Sequence, residues 1–225
     1  MERNIIITGG AGNLGKAVVQ KFKREGYKVI ATVLPESEDI VEDADDTYAV
    51  DVSDESSVRD FAAEYNSQYG ELDAVALLVG GFAMGKIEET SQADIEKMIR
   101  LNFFSAYNMV RFFLPLMKKA DAGTFLLVGA RPALEPAAGK SSVAYSLSKG
   151  LVIELASLIA EETKESKIRV HVFVPNIIDT EPNRKAMPDA DFSRWVSPAE
   201  IAETMHFATN NPAIRNTTFK LYGGV

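Results

Sequence analysis

Tyr145 and Lys149 stand four residues apart in the stretch Ser141-Ser142-Val143-Ala144-Tyr145-Ser146-Leu147-Ser148-Lys149. That spacing stacks two side chains on one face of a helix. A free phenol keeps its proton up to about pH 10, too high for acid/base work at neutral pH, but a neighbouring ammonium favours the phenolate and lowers that value. The pair reads as a proton donor with an electrostatic partner. A solvated helix face is the plain alternative, because a chain with 7 Tyr produces such a spacing by accident. The weight comes from elsewhere: Asn4-Ile5-Ile6-Ile7-Thr8 runs into Gly9-Gly10-Ala11-Gly12-Asn13-Leu14-Gly15. Glycines between a strand and a helix allow a tight turn, a close backbone approach to a pyrophosphate, and helix N–H groups facing the anion. Gly9, Gly12, Asn13, Leu14 and Gly15 are therefore candidate dinucleotide-binding positions.

The elements that must hold these residues follow from hydrophobic periodicity. Val143, Leu147, Leu151, Ile153, Leu155, Leu158 and Ile159 predict one helix over residues 143 to 162. Ala17, Val18, Val19 and Phe22 predict a helix after the first glycine turn, stopped by Gly26 before a second strand from Tyr27 to Val33. Residues 34 to 46 carry seven acids (Glu36, Glu38, Asp39, Glu42, Asp43, Asp45, Asp46) and no base, which predicts a solvated loop. Residues 47 to 50 read as a third strand ending at Asp51-Val52, where Asp51 also suits a turn cap, and a helix follows from about Asp54 to Tyr69. A fourth strand over residues 74 to 79 opens into Gly80-Gly81-Phe82-Ala83-Met84-Gly85, where small residues again admit a ligand near the backbone.

Ser91-Gln92-Ala93-Asp94 resembles a capping box, and the apolar pattern from Ile95 to Met117 predicts a long helix or two abutting ones, with Asn102 inside. Residues 125 to 128 and 168 to 174 are the fifth and sixth strands, the latter ended by Pro175, with His171 as a strand residue. Residues 176 to 197 read as irregular, Ser197-Pro198-Ala199-Glu200 starts a helix, and residues 217 to 222 are a last strand. Strands alternating with helices predict an α/β, doubly wound parallel sheet in a single domain over residues 1 to 225, with ligands at the carboxyl ends of the strands.

The 225 residues are 46% hydrophobic and 25% charged, ordinary composition for one full core. A net charge of −8 without a basic cluster argues against nucleic acid or an anionic membrane as a partner. With 0 Cys and 2 separated His, neither a thiolate nor a metal site is expected. Residues 1 to 8 show no charged-then-apolar leader and no apolar run approaches the ~20 residues that span a bilayer, so a soluble, cytoplasmic protein is expected.

Taken together, these motifs resemble the short-chain dehydrogenase/reductase family over essentially the whole chain. Thr8-Gly9-x-x-Gly12-x-x-Gly15 is similar to its pyrophosphate turn, Asp51-Val52 to its adenine contact, Asn102 to its helix asparagine, and Tyr145-x-x-x-Lys149 to its catalytic signature. The resemblance implies a Rossmann-like fold, reduced NAD or NADP as hydride donor and a small-molecule substrate. It implies Tyr145 as general acid, Lys149 lowering its pKa and holding the nicotinamide ribose, and Asn102 as a third catalytic residue.

Within the family, Val79-Gly80-Gly81-Phe82-Ala83, Gly129-Ala130-Arg131-Pro132-Ala133-Leu134, and the run from Asp179-Thr180 through Asn183-Arg184-Lys185, Met187-Pro188 and Ala190-Asp191-Phe192-Ser193 to Trp195 resemble the dihydropteridine-reductase subgroup. The cofactor-binding candidates then also include Thr32 at the end of the second strand, Gly80 and Gly81 after the fourth, and Pro175 and Thr180 after the sixth, and the substrate-binding candidates are Phe82, Ala130, Met187 and Trp195.

The chain departs from the wider family in having Ala130 for the catalytic serine, Val79-Gly80-Gly81 for Asn-Ala-Gly, and Asn176 after Pro175 in place of glycine. It departs from the subgroup too, because the second strand ends Thr32-Val33-Leu34 without a ribose-binding acid. That leaves NADH or NADPH open, with a lean to NADH because no Arg stands there. Ser141 or Ser142 could supply the missing hydroxyl, or cap the helix. The rival readings are a reductase of another small carbonyl or quinoid compound and a dinucleotide sensor without turnover. Phe103, Phe104, Phe112 and Phe113, with Leu151, Val152, Leu155 and Leu158, make two helices apolar over so much of their circumference that a homodimer through them is expected.

Overall fold

The computed structural model describes residues 3 to 37 and 39 to 224, so Glu38 of the acidic stretch and the ends of the chain lie outside the described residues. The first apolar run forms β1 (Arg3–Thr8), followed by α1 (Asn13–Arg24), β2 (Tyr27–Val33) and β3 (Asp46–Ala49). The chain continues through α2 (Glu55–Gln68), β4 (Ala74–Leu77), α3 (Gln92–Met98), a π-helical turn (Ile99–Phe104) and α4 (Ser105–Ala120). Then come β5 (Gly123–Val128), α5 (Arg131–Leu134), α6 (Pro136–Gly139), α7 (Val143–Glu162) and β6 (Ile168–Pro175). The last elements are α8 (Glu181–Ala186), α9 (Pro198–Asn210) and β7 (Thr218–Leu221).

The strands form one parallel sheet in the order β3-β2-β1-β4-β5-β6-β7. Because successive strand residues face opposite sides, each apolar run feeds two cores. Ile6, Val75 and Phe125 join Phe61, Tyr65, Phe113 and Ile159 of α2, α4 and α7 on one face. Ile5, Ile7, Val29 and Ala74 join Val18, Phe22, Ile201 and Met205 of α1 and α9 on the other. Burial on both faces is why the strands read as continuous apolar runs rather than alternating ones. Strand order reverses between β1 and β4, and the crevice at their carboxyl ends is where such sheets take ligands.

Local signals in the sequence set many of the ends. Asp54 accepts the Ser57 N–H to cap α2, and the capping boxes at Ser91 with Asp94 and Ser197 with Glu200 both form. The described residues of the acidic stretch up to Asp45 form a loop, tied down by Val41 against Gly10 and by Asp45, which accepts from the Val29 N–H and pairs with Lys23, while Asp46 begins β3. His171 is a buried strand residue whose Nδ1 accepts the Thr217 N–H; burial pushes its pKa down to about 4, so its ring is neutral.

Three expectations are corrected. Residues 176 to 197 are not irregular throughout: they contain α8 and a 3₁₀ turn at Phe192–Arg194, stabilised locally by the Thr180 cap and by Asn183 Nδ2 donating to the Ile178 carbonyl. The short α5 and α6, each with a proline in its first turn, were not foreseen, since four residues are too few to show a period. Of the two readings for the Asn102 region, abutting helices are found, α3 and α4 joined by the π turn. Finally, α7 has 20 residues and is apolar enough to cross a membrane by length and composition, contrary to the expectation from apolar runs. It packs on β5, β6, α3 and the π turn and buries Val152, Leu155, Ala156 and Ile159 in the core, while Leu147, Leu151 and Leu158 stay exposed.

The proposed assembly faces separate in the same way. Phe113, Val152 and Leu155 are core residues, and Phe103 and Phe112 lean on the core, whereas Phe104, Leu151 and Leu158 are exposed together with Leu147.

Candidate active site

The turn after β1 is built around backbone. Gly9 has φ 66°, a left-handed conformation that favours glycine, and its carbonyl accepts the Gly12 N–H at 3.0 Å. A Cβ on Gly15 would lie 2.1 Å from that same carbonyl oxygen, and one on Gly10 would lie 2.8 Å from Cβ of Ala31. Gly12 is the N-cap of α1, with no capping side chain and no acid in the first turn. Its partial positive charge, carried by the N–H groups of the first turn, is therefore left for an outside anion, with Asn13 and Leu14 beside it. Thr8 Oγ accepts the Leu78 N–H at 2.9 Å and donates to the Ala76 carbonyl at 3.3 Å, which ties this turn to the end of β4. These features fit the pyrophosphate of a dinucleotide.

The turn after β4 is built differently. A Cβ on Gly80 would meet Asn102 Oδ1 at 2.5 Å and Lys149 Nζ at 3.2 Å, and one on Gly81 would meet Leu101 Cδ2 at 2.4 Å. Asn102, 1% exposed, clasps Gly81 reciprocally: Oδ1 accepts the Gly81 N–H at 2.9 Å and Nδ2 donates to the Gly81 carbonyl at 3.1 Å. The same Nδ2 donates to Ser148 Oγ at 2.9 Å, and the Ser148 hydroxyl donates to the Tyr145 carbonyl at 2.8 Å. The glycines are small to admit protein side chains here, and those side chains include the candidate catalytic ones.

Lys149 is 6% exposed and donates to the Val128 carbonyl at 2.9 Å. Burial lowers its pKa to about 8. Tyr145, half-buried, lies edge-on to Phe82 with ring centroids 5.0 Å apart, and burial pushes its pKa up to about 12. The expected effect of Lys149 on the phenol is thus reversed in this structure. No hydrogen bond joins the two side chains, and desolvation governs both.

The remaining candidates divide. Asp51 Oδ1 accepts from the Ser53 N–H and hydroxyl, forming a turn, while the buried Val52 offers its carbonyl to Asn108 Nδ2. Thr32 is buried and presents its carbonyl to the Gly10 N–H at 3.0 Å. Pro175 ends β6 inside the core, and the Thr180 hydroxyl accepts the Asn183 N–H. Phe82 is exposed and Met187 half-buried, but Ala130 and Trp195 are buried. Trp195 packs on Phe192, whose other neighbour is the Arg184 guanidinium held by Asp179 at 2.6 and 2.7 Å.

Ser142 is buried against Ser146, and Ser141 offers its carbonyl to the Gly85 N–H. Neither hydroxyl bonds to Tyr145. Gly85 also accepts the Val143 N–H, so the loop after β4 is stitched to the start of α7 beside a cleft lined by Lys86, Ile87, Glu88, Lys140 and Ser141. Ser148 and Leu101 were not singled out from the sequence. Ser148 had a usable signal, lying three residues after Tyr145 and thus beside it on the helix.

Residues 3–191 match the family model for short chain dehydrogenase. The chain is 27% identical to a dihydropteridine reductase of Dictyostelium discoideum over 225 residues, covering 98% of this chain and 94% of the relative. It is 30% identical to the uncharacterized oxidoreductase YxjF of Bacillus subtilis over 210 residues, 90% of this chain and 81% of that one. Among solved structures, ElxO with NADP bound superposes with a TM-score of 0.89 at 25% identity, covering 100% of this chain and 98% of that one. The chain is a member of the short-chain dehydrogenase/reductase family, and an NAD(P)-dependent oxidoreductase.

Proposed function

We propose that this enzyme reduces a quinonoid dihydropterin or a similar small conjugated compound. The observation that carries the reading is Ala130, an apolar residue at the end of β5 where a reductase of simple ketones needs a second donor. When a ketone accepts hydride, negative charge develops on oxygen, and loss of one donor to it typically costs ~10²–10³ in kcat. A quinonoid dihydropterin takes its proton on nitrogen, so one acid suffices. Likeness to the Dictyostelium dihydropteridine reductase along nearly the whole chain supports the same reading.

Gly9, Gly12, Asn13, Leu14 and Gly15 would hold the pyrophosphate, Asp51 and Val52 the adenine end, and Gly80, Gly81 and Lys149 the nicotinamide ribose, with Pro175 and Thr180 nearby. When bound, the reduced nicotinamide supplies hydride. Tyr145 keeps its proton across the neutral range in the free protein and is the donor to substrate. Lys149 then gains electrostatic partners that the free protein does not give it. Phe82 closes on the Tyr145 ring and keeps water from one side of the phenol. With neither an acid nor an arginine among Thr32, Val33 and Leu34 at the end of β2, both NADH and NADPH are accepted, and the NADP-bound ElxO structure supports the second.

The test is oxidation of NADH and NADPH against a panel of quinonoid dihydropterin, simple ketones and aldehydes, and quinones. Turnover of the pterin with poor ketone reduction is expected, and Ala130→Ser should leave pterin turnover unchanged. Efficient ketone reduction that disappears in Ser142→Ala would overturn the reading. The exposed Phe104 at the end of the π turn and Leu147, Leu151 and Leu158 on α7 support a homodimer through the helix that α4 continues and α7, in the cytoplasm; a monomeric mass in solution would refute the dimer.

A further inference from the structure

Ser148 is 0% exposed and lies between the two residues to which the reaction has been assigned. Its one proton goes to the Tyr145 carbonyl at 2.8 Å, so only its lone pairs remain for another partner. Asn102 Nδ2 takes that place at 2.9 Å. The Asn102 amide is thereby fully committed, with one N–H to Ser148, the other to the Gly81 carbonyl, and Oδ1 to the Gly81 N–H. Turning the amide over would set its NH₂ against the Gly81 N–H and leave Ser148 without a donor. A buried polar group left unpaired in this way is costly.

The chain of bonds has two ends. One is the backbone of Gly81, in the turn after β4. The other is the carbonyl of Tyr145, on the helix that also carries Lys149. Over Gly80 the same two arms meet, since the point where a Cβ would sit lies 2.5 Å from Asn102 Oδ1 and 3.2 Å from Lys149 Nζ. Rotation of the amide would exchange the Asn102 atom that borders Gly80, the residue over which Lys149 Nζ also lies.

We infer that Ser148 is a positioning residue: it fixes the orientation of Asn102 and so locks the Gly80-Gly81 turn to the helix turn that presents Tyr145 and Lys149. The inference rests on the assignment of Tyr145 and Lys149 as the reacting pair. A serine that bonds to the carbonyl three residues back also bends its own helix, and a purely structural role of that kind would leave Gly81 untouched.

The decisive measurement is amide hydrogen exchange at Gly81 in the protein without added cofactor. In Ser148→Ala, Gly81 should exchange about tenfold faster, the effect of loosening a single hydrogen bond, while amides in β1 and β5 keep their protection. Turnover of quinonoid dihydropterin should fall about tenfold in Ser148→Ala but change less than about twofold when the same substitution is made in Asn102→Ala, because coupled residues are non-additive. Unchanged Gly81 exchange, or equal losses in both backgrounds, would overturn the inference. If the alanine variant does not fold, Ser148→Cys keeps the volume with a weaker acceptor and carries the same cycle. Tyr145→Phe, measured in parallel, separates the two claims: full turnover in that variant removes the reacting pair, whereas Gly81 exchange still reports on Ser148.

Discussion

The glycine turns after β1 and after β4 look alike in composition and use their missing side chains in opposite ways. After β1, a Cβ on Gly10 or Gly15 would run into the turn's own backbone or a neighbouring strand residue, and the helix end beyond is left bare. After β4, the room is taken by Asn102, Lys149 and Leu101. The first turn is a rigid surface for something outside the protein. The second is a socket for the protein's own polar groups, and its geometry depends on side chains that rotate. Small residues at a strand end thus mark close approach without saying what approaches.

The largest expected effect lies at the group the socket serves. Tyr145→Phe should lower kcat by about 10²–10⁴ with little change in cofactor affinity, because proton donation acts in the transition state. Near-normal turnover by this variant would remove Tyr145 from the chemistry and leave the socket without its purpose.

Alanine substitutions then compare the turns directly. Gly15→Ala places a Cβ 2.1 Å from a carbonyl oxygen that cannot swing away, so it should cost about 1–3 kcal/mol of stability or more and weaken NAD(P)H binding together. Gly80→Ala meets the far ends of two side chains, so the fold should survive while kcat falls roughly 10- to 100-fold, the loss that misplacement near the chemistry brings. Equal destabilisation by both, read from thermal unfolding, would erase the distinction.

The smallest effect concerns stability. Lys149 has a pKa of about 8 in the folded protein against 10.5 ordinarily, so between those values the unfolded chain binds more protons. Folding is therefore opposed by the full cost of this buried charge below pH 8, and the cost is relieved as pH rises toward 10.5; it amounts to about 3 kcal/mol. Lys149→Met should be inactive yet no less stable than the parent at pH 7, with the difference between them moving in the parent's favour as pH climbs through that window. A difference that is flat with pH would show that the ammonium is not held at a cost.

What the sequence disclosed follows the same division. Continuous runs such as Ile5-Ile6-Ile7 and Phe125-Leu126-Leu127 declared buried parallel strands, and the period from Val143 to Ile159 declared α7, because burial writes itself into residue type. The caps at Asp54, Ser91 and Ser197 could be read for their local chemistry. Gly9 to Gly15, Gly80, Gly81, Asn102, Tyr145 and Lys149 do converge at the carboxyl edge of the sheet. The direction of the Lys149 head was hidden, since it is set by the Val128 carbonyl on β5, and so was the burial that raises the pKa of Tyr145. The inward turn of Trp195 and the burial of Thr32 were hidden for the same reason. α5, α6 and α8 were too short for a period to emerge.

The π turn at Ile99–Phe104 has a further meaning as a phase shift. An α-helix advances 100° per residue, and a π turn holds one extra residue, so the helix before it and the helix after it are offset by about one position. Downstream, Met109, Phe113 and Met117 are buried core residues at a regular four-residue interval. Asn102 falls inside the offset itself. In a regular helix position 102 would fall within about 20° of Met109, seven residues on, and the π turn sets Asn102 off that core line. The site and the core therefore read the same helix in two frames, and the inserted residue is the join. Deleting one residue within the turn would merge the frames, giving a smoother helix that keeps its core and loses its grip on the turn after β4.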